Sequence, residues 1–170
     1  DEGKEDDSWL YLPAMQKVNR IAAGDKSNSW MGSDFTFSDV EGIELNDYNY
    51  QMLAESDAVD GYDCWKIESS PKNKEVVNKT GYLKSVFWVR KDAFLIVRNI
   101  ISVKKGKKLK YFSTKDVEKI DGIWTARTIQ MVTTKNKKVQ HSSVFRIDQV
   151  TYNQDIKDSM FEVERMQRGL

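Results

Sequence analysis

The sequence predicts a mainly β domain organised around one large, curved antiparallel sheet. Three observations lead there. Strand signals run from end to end, and from residue 82 onward Asp-Gly and Lys-rich turns break them at near-even spacing. Aromatic residues are abundant, with five Trp, seven Tyr and seven Phe, and such side chains suit a half-buried pleat. No repeat suggests a solenoid or propeller, and no low-complexity segment interrupts the pattern.

Taken in order, "SWLYLP" (8–13) reads as a short strand closed by Pro13, with Trp9 and Tyr11 on one face. "KVNRIA" (17–22) is its expected antiparallel neighbour. The stretch "GDKSNSWMGSDFTFSDVEG" (24–42) then has loop composition but carries Trp30, Met31, Phe35, Phe37 and Val40. Within it Thr36 or Ser38 can cap one helical turn that Gly42 ends. "YNYQMLAESDAVDGYDCWKIES" (48–69) reads as a hairpin turning at Asp60-Gly61. Tyr48, Tyr50 and Met52 share one face of its first run, and Trp65 and Ile67 one face of its second. "SPKNKEVVNKTG" (70–81) is a polar connection with a helical turn in it.

Five strands follow as a meander, turning at Arg90-Lys91-Asp92, at Lys104–Lys108, at Asp121-Gly122 and at Lys135–Lys138. Phe94, Leu95, Ile96 and Val97 in succession break the alternation, so both faces are expected to be covered there. Only "DIKDSMFEVERMQRGL" (155–170) has helical character, with Met160, Phe161 and Met166 as expected docking residues.

Composition narrows the function. The 170 residues fit one domain spanning 1–170. With 27 basic and 26 acidic residues the net charge is +1, a balance that gives no reason to expect nucleic acid, which usually demands a clearly basic face. No apolar run spans a bilayer, and "DEGKEDD" lacks the features of a signal peptide. Cys64 is the single cysteine, so no internal disulfide forms.

Chemistry-bearing clusters are few. His141 is the only histidine, so an esterase-like arrangement with Ser142 or Ser143 has to be built around it, and no positioned partner is signalled. One His and one Cys do not make a zinc site. Asp34, Asp39 and Glu41 carry oxygen ligands for calcium, but their spacing is not that of an EF-hand, and capping explains acidic residues near a helix start equally well. The Lys runs at 104–110 and 135–138 fall at hairpin tips, either as solvated, edge-protecting turns or as a surface for anionic headgroups or an acidic partner. No metal, cofactor or catalytic residue is expected, and a binding or carrier role outranks an enzyme.

The pieces "WLYLPAMQKVNRI" and "SWMGSDFTFSDVEG", with Trp9, Tyr11, Leu12, Pro13, Arg20, Ile21, Trp30, Met31, Gly32, Ser33, Asp34, Phe35 and Phe37, resemble the outer-membrane lipoprotein-sorting protein family, the LolA-like proteins. "FWVRKDAFLI", "STKDVEKIDGIWTARTIQM" and "YNQDIKDSMFEVERMQR" are similar to later motifs of that family, in the same order. Trp30 stands where Phe is commoner, Ala126 where Pro is common, and Asn19 where a second basic residue is usual. The resemblance implies a half-open antiparallel barrel with short helices over its concave face. It further implies a periplasmic carrier of lipids or lipidated proteins in a Gram-negative bacterium, whose partners are acyl chains and an inner-membrane lipid-exporting transporter. The alternative is a non-catalytic accessory module of such a transporter, with an empty cavity. Family members generally have an N-terminal helix and strands before "W-x-Y-L-P", so the chain is expected to be the C-terminal, larger part of a longer precursor. An unpaired edge at "SWLYLP" would then allow a dimer.

In that frame Trp30, Met31, Phe35 and Phe37 are the expected lid over an apolar cavity. At about 25 cal/mol per Å2 of apolar area, a few such side chains hold a loop closed without locking it. An acyl chain gains about 0.8 kcal/mol per buried methylene and can displace it. Candidate lining residues are Trp9, Tyr11, Tyr50, Trp65, Trp88, Phe112 and Trp124, because alternation alone does not say which strand face is concave. The competing reading is that the loop packs as ordinary core.

Overall fold

Strand follows strand in space in the order of the chain, as short turns between alternating runs dictate. The computed structural model describes residues 8–168; residues 1–7, including "DEGKEDD", and 169–170 lie outside them. β1 (Ser8–Leu12) and β2 (Lys17–Ile21) form a hairpin of their own across a 3-10 turn, Pro13–Met15. β3 (Tyr48–Val59), β4 (Tyr62–Pro71), β5 (Tyr82–Arg90), β6 (Leu95–Val103), β7 (Lys108–Ile120), β8 (Ile123–Lys135) and β9 (Lys138–Arg146) make a seven-stranded antiparallel meander that does not close. Its edges are therefore β3 and β9. The expected edge at "SWLYLP" belongs to the separate hairpin instead, because β1 pairs with β2 and not with the large sheet.

The turns explain the regularity. Asp60-Gly61, Asp121-Gly122 and Asn136-Lys137 each place two successive residues at positive φ. Two-residue turns of this hand match the twist of the flanking strands. α1 (Phe37–Glu41) starts at Thr36 with a full capping box: the Thr36 hydroxyl accepts from the Asp39 N–H, and the Asp39 carboxylate accepts from the Thr36 N–H. Gly42 ends it, as the sequence indicates. α2 (Lys74–Thr80) is capped by Asn73 and closed by Gly81 at φ 75°.

The apolar cluster of Val59, Cys64, Trp88 and Val97 sits at the Asp60 end of the sheet, with Val86 and Ile100 packed against it. Met131, 2% exposed, is buried in β8 on the other face. At the C-terminus α3 (Val163–Arg168) packs on β1 and β2. Met160 and Phe161, expected to dock there, fall in the preceding 3-10 turn Asp158–Phe161 and stay exposed.

Candidate functional site

Strand register defines the floor of the site as two crosswise rows on the face that the 22–47 connection covers. The first runs through Tyr50, Ser69, Ser85, Ile101, Lys110, Thr133 and His141 from β3 to β9. The second, two residues along each strand, is Met52, Ile67, Phe87, Asn99, Phe112, Met131 and Ser143. The first row is largely polar and, from Ser69 to His141, lines the clefts beside the loop; the second is largely apolar.

Two carboxylates pin the loop to this floor. Thr133 Oγ1 donates to Asp34 Oδ1 at 2.5 Å, Ser143 Oγ donates to Asp34 Oδ2 at 2.8 Å, and His141 Nδ1 lies 2.7 Å from the same oxygen. The Asp34 N–H donates in turn to Ser143 Oγ. Burial opposes the charged form of Asp34. The hydrogen bonds of Thr133, His141 and Ser143, with the charge of His141, outweigh it and hold the carboxyl below its ordinary range.

The second pin is Asp39. Tyr82 Oη donates to its carboxylate at 2.7 Å, and Lys110 Nζ donates to Tyr82 Oη at 3.0 Å while standing 3.8 Å from Asp39 Oδ2. Burial, reinforced by the Asp39 charge, pushes the Tyr82 phenol far above the usual tyrosine range. Burial pulls the Lys110 ammonium down, against the opposing pull of Asp39 and Asp34. A third contact joins buried Lys26 to Glu41 at 2.9 Å, and Ser8 Oγ donates to Glu41 from the β1 hairpin.

The carboxylates and His141 take these places in the structure. Asp34, Asp39 and Glu41 face different partners, and among the described residues no cluster of three or more His, Cys, Asp or Glu side chains could hold a metal. Ser143 and His141 both meet the same Asp34 oxygen. A nucleophilic serine needs the imidazole between itself and the carboxylate. Here the serine hydroxyl is spent on the carboxylate, which fixes a loop rather than arming a nucleophile.

The expected lid residues spread along the loop. Trp30 meets Phe145 of edge strand β9 edge-on, with ring centres 6.3 Å apart. Phe35 lines an open cleft of about 350 Å3 shared with Ser33, Asp34, Tyr82, Val103, Lys110 and His141. Phe37 is half-buried on α1, and Met31 is exposed at φ 50° beside Gly32. Below the 42–47 segment lies a second, smaller pocket of about 70 Å3, reached by Tyr48, Ser69, Asn99 and Ile101.

Of the candidate lining residues, Tyr50, Trp65 and Phe112 lie on the covered face. Past the loop its aromatic surface continues: Tyr50 contacts Phe87 and Trp65 contacts Phe94, with Tyr50 and Met52 each 45% exposed. Trp88 and Trp124 lie on the opposite face. Trp88 pairs across with Lys66 and donates from Nε1 to Asp57, while Trp124 stacks with Arg90, the cross-strand partner of Cys64. Trp9 and Tyr11 belong to the separate hairpin. Tyr82, Lys110 and Thr133 are the residues that sequence reasoning missed. Their only local signal is polarity inside strand-forming runs.

An open antiparallel meander with a loop pinned across one face defines the LolA-like fold class, and comparisons agree. A domain described as that of an outer membrane lipoprotein-sorting protein, from Vibrio parahaemolyticus, superposes with a TM-score of 0.83 at 26% identity, over 97% of this chain and 67% of that one. A DUF1329 family protein from Desulfovibrio piger gives 0.74 at 32% identity, over 96% and 65%. A LolA superfamily protein from Nitrosomonas europaea gives 0.66 at 19% identity, over 94% and 67%, a likeness of fold alone. The chain thus spans about two thirds of the length of each. No curated protein matches. A family model described as "Uncharacterized protein" matches residues 1–168, and the chain belongs to that family.

Proposed function

We propose that the protein carries or binds lipids, or the acyl chains of lipidated proteins, on the loop-covered face, as a non-catalytic component of envelope trafficking in the periplasm of a Gram-negative bacterium. The observation that carries this reading is the apolar row Met52, Ile67, Phe87, Phe112 and Met131. It runs from buried Met131 through half-buried Phe112, Phe87 and Ile67 to exposed Met52, beside the exposed ring of Tyr50 at the β3 edge. Large exposed apolar patches mark binding sites in soluble domains. Trp30, Met31, Phe35 and Phe37 serve as the movable cover, and Tyr50, Trp65 and Phe112 as lining. The fold of the Vibrio domain supports the same reading, as does the lack of a helix, among the described residues, long and apolar enough to cross a membrane.

A second reading draws on the modest clefts of about 70 and 350 Å3: a docking module of a lipid-exporting transporter, with no ligand of its own. Native mass spectrometry after gentle purification separates the two. Co-purified fatty acid or phospholipid, or uptake of a fluorescent fatty acid, is the outcome expected of a carrier. A protein that is empty and takes up no probe is a docking module.

A further inference from the structure

The parity of the meander gathers two lysine-only hairpin tips at one end of the sheet. Alternate turns of an antiparallel meander lie at opposite ends. The β3–β4, β5–β6 and β7–β8 turns carry Asp60, Asp92 and Asp121, with the single lysine Lys91, to one end. The β6–β7 and β8–β9 turns carry Lys104, Lys105, Lys107 and Lys108, and Lys135, Lys137 and Lys138, to the other, with no acidic residue in either tip.

These seven lysines are all exposed, and none is in an ion pair among the described residues. They are also crowded. Lys108 lies directly opposite Lys135 in the register of β7 with β8, and Lys135 directly opposite Lys138 in that of β8 with β9. Like charges directly opposite across strands work against the sheet. Solubility and edge protection need scattered lysines, not a cross-strand row of them. Apolar side chains stand exposed at the same end: Val139, 66% exposed, beside the β8–β9 tip, and Ile43 and Leu45, 57% and 72% exposed, on either side of Glu44 where the chain enters β3.

We propose that this lysine-tipped end docks on the surface of an anionic lipid bilayer. Two features favour a bilayer over an acidic protein. The cations are all lysines, compact point charges suited to a diffuse field of headgroups, with none of the planar arginine forks that read individual carboxylates. Exposed aliphatic side chains beside a basic patch are also the combination that enters an interface. The docking needs no ligand on the apolar face, so it stands or fails separately from the carrier reading.

The test is sedimentation of the purified protein with vesicles of phosphatidylcholine and phosphatidylglycerol, beside vesicles of phosphatidylcholine alone. Binding is expected only to the former. It should weaken steeply as salt rises above about 0.1 M, where the screening length falls below about 10 Å. Lys105→Glu with Lys138→Glu should lower the bound fraction at least tenfold. The same variant should keep its thermal midpoint, because Lys138→Glu sets a carboxylate opposite Lys135. Lys115→Glu with Lys119→Glu, an equal charge change away from the tips, should bind like the parent. Equal binding to both vesicle types, no binding at low salt, unchanged binding by the Lys105/Lys138 variant, or capture by polyglutamate in place of vesicles would each overturn the proposal.

Discussion

Thr133 donates its hydroxyl to Asp34 across 99 residues of chain, at 2.5 Å and in a buried position. With Ser143 and His141 on the other carboxylate oxygen, the bond holds the middle of a loop against the floor of the sheet. The loop is thereby held by charge and hydrogen bonds as well as by its aromatic side chains.

Removing that anchor leaves the buried Thr133 hydroxyl without its acceptor. Asp34→Ala is expected to lower unfolding stability by about 1–3 kcal/mol, the usual cost of stranding a buried polar partner. Proteolysis within 24–42 should be faster. Both are read by denaturant titration and timed limited digestion, and an unchanged digestion pattern would show that the loop is held by other contacts.

The same carboxyl sets a pH dependence. Its folded pKa is depressed, so its contribution to stability is fully present above the ordinary carboxylate value of about 4. It is lost as pH falls through the lower folded value. The stability difference between the parent and Asp34→Asn should shrink as pH falls from about 4 through that lower range. A difference that grows below about pH 4 contradicts the assignment.

Tyr82 joins the second anchor. Tyr82→Phe keeps the ring but leaves the Asp39 carboxylate without its 2.7 Å donor and Lys110 without its 3.0 Å acceptor. A loss of about 1–3 kcal/mol is expected. In the parent, fewer tyrosines should titrate in the ordinary range in an absorbance-monitored alkaline titration than in the unfolded chain, since burial pushes the Tyr82 phenol far above it and raises Tyr48 and Tyr50 as well.

Uptake of an apolar dye or fatty acid tests the cover. Trp30→Ala with Phe35→Ala should weaken it while costing less stability than a pair of packed core truncations, which cost about 3–5 kcal/mol each. The reason is that Trp30 leans on an edge strand and Phe35 on an open cleft. Outright unfolding, or undiminished uptake, would make these residues core and the loop no lid.

The two faces of the sheet give an internal control. Phe112→Ala alters the apolar row and should reduce uptake. Trp88→Phe, on the opposite face, should leave uptake unchanged while removing the Nε1 bond to Asp57. Equal loss in both variants would mean that uptake follows stability and not the lining of one face.

How much was legible in the sequence follows from the range of each interaction. The strands, the positive-φ turns, the Thr36 cap and the order of the meander are local. They are written in alternation, in Asp-Gly pairs and in a capping residue three positions before its partner. The choice of face was not: alternation marks two faces equally, and Trp65 and Trp88 look alike until register sets them on opposite sides. The detachment of the β1–β2 hairpin was likewise hidden, because a strand does not state which edge it joins. Asp34 with Thr133, and Asp39 with Tyr82 and Lys110, are contacts between residues far apart in the chain. Only the folded sheet brings them together, and only burial there turns ordinary loop carboxylates into anchors.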